Sequence, residues 1–511
     1  MAIIRQEIVR ATINRAAALV DPNIQNNLEK RHVFRIQTVL ADKSLTKDEK
    51  SYAVKELNKV FDHYKILYNE GTKRICENCH DECLATLYCE HSLIPNLIVE
   101  WIPYNNLQNI KYLTKGGSSE IYTAVWIGGC YEEWDLKEKQ LKRYGSMIVV
   151  LKKLENVESA NKSWFDEGIS HLHISSKTSL IVQCYGLTQN PFNGNYMIVM
   201  NHMNINLREY LQQNLNKITW KERIQIIDSI IGAVYDIHSE SSIHRDLHSG
   251  NILFGQSNQN FFISDFGFCG PANKPLNSIY GNLPYIAPEV IVNKKYTFAS
   301  DIYSIGILMW EISSGQPPFI NKHDYDLAIR IINGMRPKTI PDTPLEYKEL
   351  MEQCWDANPT KRPDIFTLFN KIRDIYRWYC QNENEQRIIS KITSTNNSQL
   401  NTRYNLNSSS TNSSFFGNFS TSSSNWNISS RVYNFENLPE PKNATKEEQD
   451  AYHSIQFDYD LQDGLIIVEE KSNKRCYFDD DDKDLAYNSN KKVNSNNNEE
   501  IQYHEIGYQY T

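Results

Sequence analysis

The feature that most constrains this chain of 511 residues is a short loop sequence followed closely by a second acidic motif. Residues 243–251 read IHRDLHSGN, and residues 265–267 read DFG. Together they bring the carboxylates of Asp246 and Asp265 and the amide of Asn251 into one stretch, and such oxygen ligands suit Mg²⁺. Either motif alone would be an ordinary acidic loop between two strands, but the ordered pair is not expected by chance.

The two motifs resemble the catalytic loop H-R-D-L-x-x-x-N and the metal-binding D-F-G of eukaryotic protein kinases. The resemblance implies that Asp246 accepts the proton of the substrate hydroxyl, while Asn251 and Asp265 hold Mg²⁺ against the triphosphate of ATP. It also extends to Lys152, which would bridge the α- and β-phosphates, and to Glu167, the partner expected for that lysine. The predicted catalytic residues are therefore Asp246, Lys152, Glu167, Asn251 and Asp265, with ATP and Mg²⁺ as cofactors.

The same resemblance predicts a nucleotide-binding cleft upstream of the catalytic loop. Residues 113–122 (LTKGGSSEIY) stand where a glycine-rich loop would cover the phosphates, but Thr114 and Ser119 replace two of the expected glycines. Val150 replaces the small alanine that usually lies over the adenine, which narrows the slot. The residues predicted to line the cleft are Leu113, Gly116, Gly117, Ile121, Val150, Lys152, Met200, His202, Met203 and Leu253.

Further landmarks favour the tyrosine-kinase-like branch of the family, notably residues 354–363 (CWDANPTKRP). The resemblance implies that Arg362 pairs with Glu289 and that Asp301 braces the backbone of the catalytic loop. Residues 281–286 (GNLPYI) resemble the Ser/Thr form, so serine and threonine hydroxyls are the predicted substrates. His248 stands where Ser/Thr enzymes commonly have lysine, so tyrosine or dual specificity remains an alternative.

Four residues between the first helices and this domain could hold zinc. Cys76 and Cys79 form a C-x-x-C pair, and Cys89 with His91 could complete a tetrahedral site. The second half, C-x-H, departs from the usual spacings, so a cluster of reduced thiols is the alternative. The sequence therefore predicts either a structural zinc ribbon or knuckle, or no metal there.

The predicted fold is α+β, with a small antiparallel β lobe and a helical large lobe. Thr46 and Glu49 have the spacing of a capping box, which indicates a helix start within an N-terminal helical segment. The Asn- and Ser-rich C-terminal composition cannot bury enough apolar surface to offset chain entropy. The predicted domains are a helical segment (1–75), the Cys/His cluster (76–95), the kinase domain (101–380) and a mostly disordered tail (393–511).

The net charge of −8 gives no basic surface that would attract nucleic acid, and no apolar run is long enough to span a membrane. Ten cysteines without a signal peptide indicate a reducing compartment, so the cytoplasm is the expected location and the nucleus an alternative. The expected partners are ATP and protein substrates, and the sequence leaves the oligomeric state open.

Three functions follow from these patterns. The first is a protein kinase that transfers the γ-phosphate of ATP to serine or threonine in intracellular signalling. The second is a pseudokinase or scaffold, which the replaced glycines and Val150 would suit. The third is a zinc-dependent interaction protein whose kinase domain is incidental.

Overall fold

The computed structural model describes most of the chain in several stretches. These are residues 4–76, 82–86, 98–115, 119–135, 138, 140–154, 171–172, 174–175, 178–215, 217–256, 259–267, 269–271, 279–293, 295–319, 324–382 and 430–454. Residues 1–450 form one compact unit, to which the following description applies. Among the helices within the described stretches, none has the length and apolar character needed to cross a membrane.

Three packed helices open the chain: α1 (Gln6–Ala18), α2 (Leu28–Ala41) and α3 (Lys47–Tyr68). The capping box predicted at the start of α3 is confirmed, because the Thr46 hydroxyl accepts from the Glu49 N–H and the Glu49 carboxylate accepts from the Thr46 N–H. The apolar faces of the helices meet in a core of Val9, Ala16, Val39, Leu45, Ala53 and Leu57. A two-residue pairing of β1 (Arg74–Ile75) with β2 (Glu82–Cys83) follows.

A six-stranded sheet forms the small lobe, in the order β3-β9-β10-β8-β5-β4. Its strands are β3 (Glu100–Trp101), β4 (Leu107–Lys115), β5 (Glu120–Trp126), β8 (Met147–Lys153), β9 (Cys184–Gln189) and β10 (Tyr196–Asn201). A separate hairpin, β6 (Tyr131–Asp135) with β7 (Gln140–Arg143), lies between β5 and β8 in sequence. All pairings in the main sheet are antiparallel except that of the short β3 with β9.

Alternation along β8 assigns its two faces. Val149 and Leu151 are fully buried in the core that also contains Trp126 and Val199. Successive side chains of a strand point to opposite faces, so Val150 and Lys152 share the other face. That face therefore carries Val150 and Lys152, two of the residues predicted to line the nucleotide cleft.

Helices build the large lobe: α4 (Leu207–Asn214), α5 (Trp220–Ser239), α6 (Pro288–Asn293), α7 (Phe298–Ser314), α8 (Asp324–Ile332), α9 (Leu345–Cys354) and α10 (Ile365–Gln381). Helix α7 is apolar around its circumference and buried along nearly its whole length, as expected for the central helix of a domain. It ends at Gly315, whose φ of 69° and lack of a side chain admit Leu215 against the turn. The predicted α+β fold with a β lobe and a helical lobe is confirmed.

Short strands flank the loops of the large lobe. One sheet has the order β11-β13-β14, from β11 (Ile205–Asn206), β13 (Ile252–Gly255) and β14 (Asn260–Ile263). A second pairs β12 (Ser242–Ile243) with β15 (Gly270–Pro271). The loop between β12 and β13 therefore begins and ends on strands, which holds it in place.

A C-terminal segment joins this lobe. Within the range 393–511, for which the sequence predicts a mostly disordered tail, residues 430–450 belong to the same compact unit as the helices. Strand β17 (Arg431–Tyr433) pairs antiparallel with β16 (Ile279–Gly281), with Gly281 opposite Arg431 and Ile279 opposite Tyr433. Farther along, the Lys442 N–H donates to the Ile332 carbonyl at 3.0 Å.

Candidate active site

The backbone of the loop between β12 and β13 is hydrogen-bonded to Asp301 at the start of α7. One carboxylate oxygen accepts from the His244 N–H at 2.9 Å, and the other accepts from the Arg245 N–H at 3.0 Å. The His238 ring contacts the same carboxylate at 2.9 Å. Arg245 has a φ of 72°, an unfavourable value for its side chain, and these contacts hold it there. Asp301 thus lies where the sequence placed it, as a brace for the loop backbone.

Asp246 lies at the tip of this loop and is 5% exposed. The Asn251 amide donates to the Asp246 carbonyl at 2.9 Å and to its Oδ2 at 3.3 Å, which orients the carboxylate. Burial raises the pKa of Asp246 to about 6, and the neighbouring charge of Asp265 acts in the same direction. A carboxylate with a raised pKa accepts a proton from a hydroxyl more readily than an exposed aspartate does.

Lys152 reaches across from β8 to the second motif. Its Nζ lies 2.8 Å from Oδ1 of Asp265, and its side chain is 7% exposed. Although burial opposes ionisation of Asp265, the Lys152 ammonium lowers the pKa of that carboxyl, and the Gly267 N–H adds to the effect. The structure thus brings together Lys152, Asp246, Asn251 and Asp265, whereas Glu167 lies outside the described residues.

Apolar side chains form the part of the cleft expected to take the adenine. Val150, Met203 and Leu253 pack against one cluster that contains Met200, and Val150 is opposite Met200 in the β8–β10 register. Ile121 is opposite Lys152 in the β5–β8 register, so it lies at the phosphate end.

The remaining predicted cleft residues differ in exposure. His202 follows β10 and is half-buried, and burial lowers the pKa of its ring. Leu113 on β4 is 54% exposed. Gly116 and Gly117 lie outside the described residues, so the covering loop itself stays a prediction.

Asn251 and Asp265 have the donor atoms that Mg²⁺ requires. The amide nitrogen of Asn251 is used by Asp246, so its amide oxygen is the atom available to a cation. Lys152 and the Gly267 N–H both contact Oδ1 of Asp265, so among the described contacts Oδ2 is the oxygen that could bind a cation. Two hard oxygen donors beside a phosphate are a typical Mg²⁺ arrangement.

The predicted zinc site gains no support. Cys76 is buried beside Cys83, which was not among the predicted ligands. Cys79, Cys89 and His91 lie outside the described residues. In the described stretches, no group of three or more His, Cys, Asp or Glu side chains could hold a metal ion.

A buried polar network that sequence reasoning missed supports the catalytic loop from the side. Arg208 donates to Glu311 at 3.0 Å and to the Tyr285 hydroxyl at 2.8 Å. The Tyr285 hydroxyl also contacts Glu311 at 2.5 Å and the Ser249 hydroxyl at 3.3 Å. The network links α4, α7, the catalytic loop and the turn after β16. Its members are far apart in sequence, so no local sequence pattern predicts these contacts.

Sequence reasoning also missed Ser430, which lies just before β17. Its Oγ lies 2.8 Å from Oδ1 of Asp246 and 3.1 Å from Nε2 of His248. Burial lowers the pKa of the His248 imidazole to about 4, so the ring is neutral at physiological pH. A serine hydroxyl therefore occupies the position beside the carboxylate, in a stretch whose composition predicted disorder.

Comparison with known proteins gives consistent matches. A family model described as "Protein tyrosine and serine/threonine kinase" matches residues 107–372. The chain is 31% identical over 276 residues to "Putative serine/threonine-protein kinase/receptor R826" of Acanthamoeba polyphaga mimivirus, which covers 50% of the chain and 16% of that protein. It is 27% identical over 333 residues to "Probable serine/threonine-protein kinase pats1" of Dictyostelium discoideum, covering 59% of the chain and 10% of that protein.

A third relative is "Dual serine/threonine and tyrosine protein kinase" of Homo sapiens. The chain is 30% identical to it over 195 residues, which is 37% of the chain and 20% of that protein. The chain thus spans between a tenth and a fifth of the length of these three relatives.

Proposed function

Because the chain belongs to the protein tyrosine and serine/threonine kinase family, we propose that it transfers the γ-phosphoryl group of ATP to serine and threonine hydroxyls of proteins. The observation that carries the proposal is the meeting of Lys152 with Asp265 at 2.8 Å, beside the buried Asp246. Signalling within the cell and membership of the tyrosine-kinase-like branch are parts of the same proposal.

Each side chain has a defined task in this reaction. Asp246 accepts the proton of the attacking hydroxyl, and Lys152 orients the α- and β-phosphates. Asn251 and Asp265 are the residues that would hold Mg²⁺, and a bound Mg²⁺ would supply positive charge to the phosphate oxygens. Phosphoryl transfer needs little more from the protein than such positioning and charge stabilisation.

The preference for serine and threonine hydroxyls is supported by the short reach from the backbone of β17 to the base. Strand β17 pairs with β16, and Ser430 directly precedes β17. The Oγ of Ser430 lies 2.8 Å from Oδ1 of Asp246. A tyrosine side chain is longer, so on the same backbone its hydroxyl would lie beyond the carboxylate. Dual specificity, suggested by the name of one relative, remains the alternative for a differently seated chain.

The deciding experiment compares the wild type with Asp246→Asn on peptides that present serine, threonine or tyrosine in one sequence. We expect wild-type transfer to serine and threonine, and loss of transfer in Asp246→Asn with ATP binding nearly unchanged. Lys152→Met should also lose transfer, while Asp374→Asn, whose side chain is 69% exposed, should match the wild type. Identical background labelling in wild type and Asp246→Asn would contradict kinase activity.

A pseudokinase is the second candidate, because Val150 packs against the Met200 cluster where a small residue would leave room for adenine. The same experiment separates the two. A pseudokinase would bind partners and show no transfer that depends on Asp246.

A further inference from the structure

Ser430 is hydrogen-bonded to the catalytic loop as a reacting hydroxyl would be. It is 7% exposed, and its Oγ donates to Oδ1 of Asp246 at 2.8 Å. A general base must lie within hydrogen-bond reach of the proton that it removes, and this distance meets that requirement.

His248 sets the direction of this hydrogen bond. Its Nδ1 accepts from the Gly250 N–H at 3.1 Å, so the neutral ring carries its proton on Nε2. Nε2–H then donates to the Ser430 Oγ at 3.1 Å, and the serine's own proton is left to point at Asp246. The hydroxyl is therefore oriented with its proton toward the base.

Strand β17, which follows Ser430, pairs with β16 beside the active site. Gly281 lies opposite Arg431, and its φ of 137° suits glycine. A Cβ on Gly281 would lie 3.2 Å from Oδ1 of Asp246, so the absence of a side chain keeps this approach open. Tyr433 is 7% exposed and stacks on Phe435, with the ring centroids 5.6 Å apart.

A second set of contacts, made by Asn443, holds the C-terminal segment on the large lobe. Asn443 accepts from the Ala357 N–H at 2.8 Å and donates to Asp356 at 2.9 Å. Gly334, at a φ of 90°, passes so close that a Cβ there would lie 2.1 Å from the Ala444 nitrogen. Such backbone contact away from the reacting centre raises the effective concentration of Ser430 at the base.

We propose that Ser430 is a phosphoacceptor of this kinase, modified in the same molecule that carries the active site. The inference rests on the proposed function. Ser430 Oγ forms a bond to the γ-phosphorus of ATP as the bond from that phosphorus to the bridging oxygen breaks and ADP leaves. Asp246 takes the hydroxyl proton and later releases it to water.

The test uses the full chain, treated first with a phosphatase and then given Mg²⁺ and ATP, with casein as a second substrate. Mass spectrometry of the intact protein and its peptides locates the phosphate. We expect phosphate on Ser430 of the wild type, at a fractional rate unchanged by tenfold dilution. Ser429→Ala should behave like the wild type, and Ser430→Thr should gain phosphothreonine.

Two further arms separate the possible failures. Asp246→Asn mixed with active wild type should stay unmodified at Ser430, and its phosphorylation there would overturn transfer within one molecule. Casein labelling without phosphate on Ser430 would overturn the inference and leave the proposed function standing. Absence of phosphate from both substrates would overturn both.

Discussion

The guanidinium of Arg362 donates to both carboxylate oxygens of Glu289, each at 2.7 Å, and the Arg362 side chain has no solvent exposure. The pair joins the first turn of α6 to the turn before α10. The same guanidinium donates to the Ala299 carbonyl at 2.8 Å, at the start of α7. Removing one partner leaves a buried charge uncompensated, which costs more than the pair itself contributes.

Arg362→Ala should therefore lower the free energy of unfolding by about 3 to 5 kcal/mol. Thermal and urea unfolding of the full chain measure the change. Lys348→Ala is the matched control, because Lys348 and its partner Glu352 are 41% and 45% exposed and surface pairs contribute about 1 kcal/mol or less. Equal losses in the two variants would contradict the structural importance of the buried pair.

Val150→Ala should lower the KM for ATP by about tenfold with kcat unchanged, because it removes two methyl groups from the adenine slot. Val150 is opposite Met200 in the β8–β10 register, whereas the catalytic side chains keep their positions. Steady-state kinetics with varied ATP provide the measurement. Ile148→Ala, on the same strand and 56% exposed, should leave the KM unchanged. An unchanged or higher KM in Val150→Ala would show that Val150 does not narrow the slot.

His171 should make stability depend on pH. Burial lowers the pKa of its ring to about 4, and the Nε2–H donates to the Val182 carbonyl at 2.7 Å. Below pH 6.5 the unfolded chain binds a proton at this residue and the folded chain does not, so stability falls as pH drops toward 4. The expected slope from this residue is about 1.4 kcal/mol per pH unit.

His171→Gln isolates that slope, since glutamine can still donate to Val182 and does not titrate. The cost of the substitution should be constant above pH 7 and shrink toward pH 5, as measured by urea unfolding at several pH values. The neighbouring charges Lys152 and Asp265 and the ring of His244 are common to both proteins. The same cost at pH 8 and pH 5 would contradict the prediction.

Asn443→Ala should raise kcat/KM for an external peptide by about tenfold and slow the modification of Ser430. The substitution removes two hydrogen bonds that hold the C-terminal segment, each contributing about 1 kcal/mol. Lys446→Ala, at an exposed position nearby, should change neither rate. A peptide rate that is insensitive to Asn443→Ala would mean that the segment does not compete for the site.

Asp246 and Asn251 could be grouped from the sequence because they lie on one short loop, whereas the roles of Lys152 and Asp265, which are 113 positions apart, came from the resemblance to protein kinases. Asp246 and Asn251 lie five positions apart on one loop, and the amide contacts the carboxylate as that spacing allows. The capping box of Thr46 and Glu49 is similar, since both hydrogen bonds close within one turn of helix. Patterns of this kind need no knowledge of the rest of the fold.

Only the tertiary structure could place Ser430 against Asp246. The two residues are 184 positions apart in the sequence. Strand β17, which follows Ser430, is three residues long and therefore too short to give a periodicity signal. Composition is averaged over many residues, so the Asn- and Ser-rich stretch predicts disorder despite this short strand. That prediction applies to a segment that can bury only its own apolar surface. Here Tyr433 is buried and β17 pairs with β16 of the kinase domain, so the surface that stabilises the segment comes from outside it.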